Sequence, residues 1–274
     1  GPQGGVDGRQ HLTFDEVWVE AECLARRVRA CLGGGAGGAE GGDGAAGAGA
    51  CGGAAAVMLD RGIGCAVAAL ACVAAGAAFL LAGDPLAGGA AARRNTSAAL
   101  AAHRGAVRCA IVAAPTGKAR EEYGQQVARA CGEGVPVLAL AAHREDCRGA
   151  TIPTTKLALP IAVRASDACD LEPKRDSVVC LCLTSGSTGG TRKAVALTDA
   201  ALRNRFLWAY NRYPAGLDEL WGWAAPPVYV DAVWQMLGGV GAGVPTLVLA
   251  QPTDGAALAA LVNARAVTRL AAVP

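Results

Sequence analysis

One stretch of the chain gathers groups suited to chemistry: Thr184-Ser185-Gly186-Ser187-Thr188-Gly189-Gly190-Thr191-Arg192-Lys193. It follows directly on residues 177–183, a strongly apolar run that reads as a buried strand. Glycines let the backbone bend so that successive N–H groups converge on one anion, and neighbouring hydroxyls add further donors. Lys193 ends the run as a compact positive charge, with Arg192 as a rival for that role. Donors arranged this way suit phosphate oxygens. A solvated Ser/Gly turn has the same composition, but the coincidence of strand, loop and lysine favours phosphate. The run is not a Walker A loop, because the second glycine and the Lys-Ser/Thr pair do not fall at the required offsets from Gly186.

Other candidates carry less. Cys180 and Cys182 sit two apart in the strand and share a face, with no further ligand nearby, so they read as buried thiols rather than zinc ligands. His143 and Cys147, one helical turn apart, have the same shortage. An odd total of 11 cysteines with no C-x-x-C argues against a disulfide framework. His11, His103 and His143 are scattered, none in a recognisable nucleophile context. Residues 57–64 form a strand leading into a G-x-G turn, with Asp84 further on as in a dinucleotide fold, but Val67 stands where that fold needs Gly or Ala.

The elements needed to hold the loop are legible on both sides of it. Thr13 and Glu16 fit a capping box, and Val17, Ala21, Leu24, Val28 and Leu32 then recur at helical spacing. Residues 33–53 are a Gly-rich, low-complexity stretch, read as a flexible surface insertion. Strands are expected at 54–59, 77–81, 109–113, 135–140, 177–183, 194–197, 246–250 and 267–273. Helices are expected around Ala66, at 90–103, 120–131, 199–210, 230–237 and 254–263. Residues 141–174 are expected to be irregular, broken by Pro153, Pro160 and Pro173. Alternation of this kind implies an α/β fold with parallel-rich sheets layered with helices. Trp208, Trp221, Trp223 and Trp234 are assigned to packing.

Composition narrows the function classes. Of the 274 residues, 25 are Lys or Arg and 23 are Asp or Glu, so the net charge of +2 leaves no electrostatic footprint for nucleic acid or an anionic membrane. The uncharged run 62–83 is long enough to span a bilayer by count, but Ala and Gly dominate it and Gly76 divides it. A buried helix followed by a strand is expected there. The start Gly1-Pro2-Gln3, with no leader, reads as a fragment or trimmed chain, and a cytoplasmic location is expected.

The loop resembles the phosphate loop of the adenylate-forming superfamily, which embraces acyl-CoA synthetases, luciferases and peptide-synthetase adenylation domains. That loop runs T-S-G-S-T-G-x-P-K-G-V and then T-H. Thr184, Ser185, Gly186, Ser187, Thr188 and Gly189 match it without change. With one residue inserted, Lys193, Ala194, Val195 and Thr198 continue the match, while Arg192 and Asp199 replace the Pro and His. Residues 12–17 are similar to the family's T-Y-x-E-L helix, residues 70–85 to its L-x-x-G-A-A-Y-V-P-L-D-P segment, and Val267-Thr268 with Val273-Pro274 to its V-T-x-x-x-x-V-P. Residues 202–208 with Tyr213-Pro214 look most like the aminoadipate-semialdehyde-dehydrogenase-like and plant acyl-activating subgroup.

The resemblance implies a disordered tail over 1–11 and a truncated large N-terminal domain of an adenylate-forming enzyme over 12–274. It implies ATP and Mg²⁺ at the loop, a carboxylic (amino or fatty) acid as substrate, and coenzyme A or a phosphopantetheinyl carrier protein as thiol acceptor. Asp231 lies where amino-acid-activating members pair the substrate ammonium, although a helix N-terminal Asp is an equal reading. No metal ligand is assigned. The family's catalytic Lys falls in its C-terminal part, so an isolated chain of this extent is expected to be inactive. The alternative is a catalytically incomplete nucleotide-binding or interaction remnant of the same fold.

Overall fold

The capping box at the start of the chain forms as the sequence demands. Thr13 Oγ1 accepts from the Glu16 amide at 3.2 Å, and the Glu16 carboxylate accepts from the Thr13 amide at 2.8 Å. The helix so begun, α1 (Phe14–Gly33), buries Ala21, Leu24, Ala25 and Val28. The computed structural model describes residues 11–33, 53–84, 89–113, 118–140, 177–183, 194–216, 218–249 and 255–271. Nearly all of the Gly-rich stretch and all of the expected irregular segment lie outside these residues.

After α1 the order is β1 (Ala54–Met58), α2 (Ile63–Ala74), β2 (Ala78–Leu81), α3 (Gly89–Ala102), β3 (Val107–Val112), α4 (Lys118–Cys131) and β4 (Val137–Ala139). Then come β5 (Val178–Leu183), β6 (Ala194–Thr198), α5 (Asp199–Arg212), β7 (Trp221–Trp223), α6 (Val230–Ala242), β8 (Thr246–Val248), α7 (Gly255–Ala264) and β9 (Arg269–Leu270). Six strands form one sheet in the order β4-β3-β1-β2-β5-β6, and three form a second in the order β8-β7-β9. The uncharged run resolves into α2 and β2, and no helix among the described residues is long and apolar enough to cross a membrane.

Strand β1 shows why helices cover both faces of the large sheet. All five of its residues are buried. Ala55 and Val57 point into a core shared with Leu24, Val28, Val67 and Ala71 of α1 and α2. Ala54, Ala56 and Met58 point the other way, to Leu100, Tyr123 and Val127 of α3 and α4. Period-two alternation therefore feeds two apolar layers at once, as a doubly covered sheet requires.

The sheets are parallel-rich as expected, and two features add to that expectation. Parallel pairing holds except at one rim, where β5 and β6 run antiparallel with Leu183 opposite Ala194. Only ten residues, 184–193, separate these two strands along the chain, fewer than the dozen or so that a crossover to a parallel neighbour takes. Trp221-Gly222-Trp223 had no strand assigned to it, yet it forms β7, the centre of the small sheet, parallel to both neighbours.

Candidate active site

The carboxyl ends of the parallel strands share one edge of the large sheet, and segments leaving that edge are where α/β folds bind ligands. Leu183, which ends β5, stands on that edge, and the run from Thr184 to Lys193 starts there. Residues 184–193 lie outside the described residues; their anchors do not. The pairing of Leu183 with Ala194 and of Cys182 with Val195 holds both ends of the run side by side. Behind it, His103, just past α3, reaches the Cys182 carbonyl with Nε2 at 3.2 Å. Burial pushes its imidazole below the ordinary histidine range, outweighing the opposite effect of that carbonyl.

The small sheet presents its own carboxyl edge to the same place. Arg61, on the turn from β1 into α2, donates to the Ala224 carbonyl just past β7. The buried Gln235 of α6 then ties this edge together. Its Oε1 accepts from the amides of Ala224 and Ala225, both at 2.8 Å, and its Nε2 donates to the Ala271 carbonyl past β9 at 2.6 Å. Asp84, at the carboxyl end of β2, accepts a 2.6 Å bond from the Tyr123 hydroxyl.

Beyond β6, Thr198 caps α5, its Oγ1 accepting from the Ala201 amide at 3.3 Å. Asp199, where the resemblance calls for His, forms a 2.5 Å pair with Arg203 one turn on, and its amide donates to the Ser177 carbonyl. A hollow of about 220 Å³ opens between α5 and α6, lined among others by Leu197, Leu202, Phe206, Val233 and Trp234. Phe206, Tyr210, Trp221 and Trp234 pack ring against ring around it, 5.2 to 6.2 Å apart.

Asp231 lies on this hollow, in the first turn of α6, exposed and without an ion-pair partner among the described residues. Arg205 lies on it too. Packing describes Trp221, Trp223 and Trp234, but Trp208 is 52% exposed, with Arg205 over its ring and Tyr213 edge-on to it. It points away from the sheet because the buried face of α5 is taken by Phe206 and Ala209.

Cys180 and Cys182 are buried, and burial raises both thiols. Cys65 and Cys109 are pushed up to about 12 by the same cause, so none of these thiols is a ready nucleophile. His103, Gln235 and Arg205 are the site's contributors that motif reading passed over. An isolated His, Gln or Arg carries no spacing signal; only the crossing of distant strands gives these three their places.

A family model described as AMP-binding enzyme matches residues 5–274. Among solved structures, the chain is similar to Bacillus subtilis O-succinylbenzoate coenzyme A synthetase (MenE) in complex with AMP, with TM-score 0.59 and 16% identity over 95% of this chain and 55% of that one. It is also similar to ATP-bound MatB from Rhodopseudomonas palustris, with TM-score 0.61 and 16% identity over 93% of this chain and 43% of that one. A third likeness is to MenE in complex with ATP and magnesium ion, with TM-score 0.58 and 15% identity over 94% of this chain and 44% of that one. The chain therefore spans about half the length of these structures or less. No curated protein sequence matches it. The fold, the strand that leads to the Thr184–Lys193 run and the match across nearly the whole chain lead to one conclusion: the chain belongs to the AMP-binding enzyme family.

Proposed function

We propose that the chain supplies the nucleotide- and acid-binding half of an enzyme that activates a carboxylic acid with ATP. The acid's oxygen attacks the α-phosphate, the bond to pyrophosphate breaks, and an acyl-adenylate forms. A thiol of coenzyme A or a phosphopantetheinyl carrier then attacks the acyl carbon and releases AMP. Little covalent work falls to the protein in such a step; positioning and charge stabilisation carry it. The observation that supports this reading best is the unbroken T-S-G-S-T-G run at the carboxyl end of β5 in a chain of this family.

In this reading the backbone amides and hydroxyls of Thr184, Ser185, Ser187 and Thr188 hold the β- and γ-phosphates. Gly186 and Gly189 allow the close approach, and Lys193, with Arg192 beside it, offsets the charge. Mg²⁺ binds chiefly through substrate phosphates and water. Among the described residues no group of three His, Cys, Asp or Glu forms a metal site, so no side chain is assigned to the ion. The acid enters the hollow between α5 and α6, and Asp231 pairs an α-ammonium where the acid is an amino acid.

Calorimetry with ATP and Mg²⁺ tests the central claim. The wild-type chain is expected to bind and Lys193→Ala to bind at least about tenfold more weakly, the loss of one charge-assisted contact. Equal affinity in the two proteins counts against the assignment.

A further inference from the structure

Arg205 stands on the hollow in an unusual state. Its guanidinium carbon lies 4.9 Å from the ring centroid of Trp208 and 4.9 Å from that of Trp234. Among the described residues it has no carboxylate partner, and no ion pair joins it to Asp231 on the same hollow. Two indole rings therefore lie within cation–π range of the group. The guanidinium N–H donors lie in its own plane, and no carboxylate among the described residues takes them up. A planar fork with fixed orientation and open donors suits one partner above others, a carboxylate bound through both oxygens. The walls around it, Leu202, Phe206, Val230 and Val233, are apolar and suit a hydrocarbon body.

The hollow also lies some way along β6 from Ala194, where the chain rejoins the sheet. Leu197, on its wall, is three residues along β6 from Ala194, about 10 Å at the rise of a strand. A group held by Arg205 therefore belongs to the end of the ligand remote from the reacting atoms. We propose that Arg205, beside Trp208 and Trp234, is a specificity-determining residue that selects acids carrying a second carboxylate at the far end of an apolar body. This rests on the reading that the acid sits in the hollow.

Titration of the 274-residue chain with octanoate and with octanedioate, followed by tryptophan fluorescence and calorimetry, tests it. Wild type is expected to bind octanedioate about tenfold more tightly than octanoate. Arg205→Gln is expected to abolish that preference by weakening octanedioate far more than octanoate. Arg205→Lys, which keeps charge but not the planar fork, is expected to retain only part of it. Thermal unfolding of both variants, matching wild type, establishes that the fold is intact. Equal binding of the two acids by wild type, or a preference that survives Arg205→Gln, overturns the role of Arg205 and leaves the acid site standing. Octanoate weakened as much as octanedioate by Arg205→Gln also overturns it, since the guanidinium then reads a lone carboxylate. Binding of neither acid overturns both this inference and the acid site.

Discussion

Gln235 is the residue on which the edge of the small sheet depends. One amide group satisfies two backbone N–H donors after β7 and one carbonyl after β9, strands that lie side by side in the sheet but are separated along the chain by α6, β8 and α7. Gln235→Met keeps length and packing and strands those three groups. Because Ala224, Ala225 and Ala271 are only partly buried, water replaces some of what is lost. The expected cost is about 2 to 3 kcal/mol, read from urea denaturation. A loss under about 0.5 kcal/mol, the level of an ordinary surface change, would refute the linking role. The contrast with Asp231 is instructive, for there a motif drew attention to a side chain that makes no ion pair among the described residues, while nothing in the sequence drew attention to Gln235.

At the scale of elements, α6 owes its position to a missing side chain. A Cβ on Gly239 would stand 2.0 Å from Thr246 Oγ1 and 2.9 Å from the Val244 carbonyl, so only glycine lets this helix lie against the start of β8. The helix ends four residues on at Gly243, with φ of 69°, and the Val244 amide returns to the Gly239 carbonyl at 2.8 Å. Gly239→Ala is expected to cost about 1 to 3 kcal/mol despite the better helix propensity of alanine. Gly124→Ala, in α4 with open space at its Cβ, is expected to stabilise by about 0.5 to 1 kcal/mol. Thermal unfolding of the two variants side by side checks the pair; a stable Gly239→Ala would contradict the close approach. The same contrast explains what was legible. Helix α1 announced itself through a capping box and a buried stripe, because local bonds and periodicity decide it. Strand β7 did not, because three residues carry no period and its identity comes from partners 25 and 48 residues away, Thr246 beside Trp221 and Arg269 beside Trp221. The antiparallel turn of β6 was hidden for a related reason, since a strand's direction depends on what lies between it and its neighbour. The phosphate run was legible from residue types alone, whereas the place of the Arg205 guanidinium required α5 and α6 to meet.

For the molecule as a whole, the two sheets bring their carboxyl edges together, and pH acts on the joint behind them. His103 is held neutral by burial, with its pKa below the value of about 6.5 that it has when unfolded. The unfolded chain therefore takes up that proton more readily than the folded one. The resulting stability is complete above about pH 6.5 and drains away as pH falls from there through the lower folded value. Urea midpoints between about pH 8 and pH 5.5 are expected to fall more steeply for wild type than for His103→Gln, in which carboxylates titrate alike but this imidazole is gone. Identical slopes would show that His103 contributes nothing to the pH response.

Strand β1 opens with three consecutive alanines, all fully enclosed. A methyl group has no rotamers to surrender, so ordering that part of the interior freezes almost no side-chain freedom. The compensation is rigidity of another kind: nothing there can swivel to make room. Accommodating even one extra methylene at that spot requires whole backbones to separate, and the strain would travel along β1 to the turn that carries Arg61.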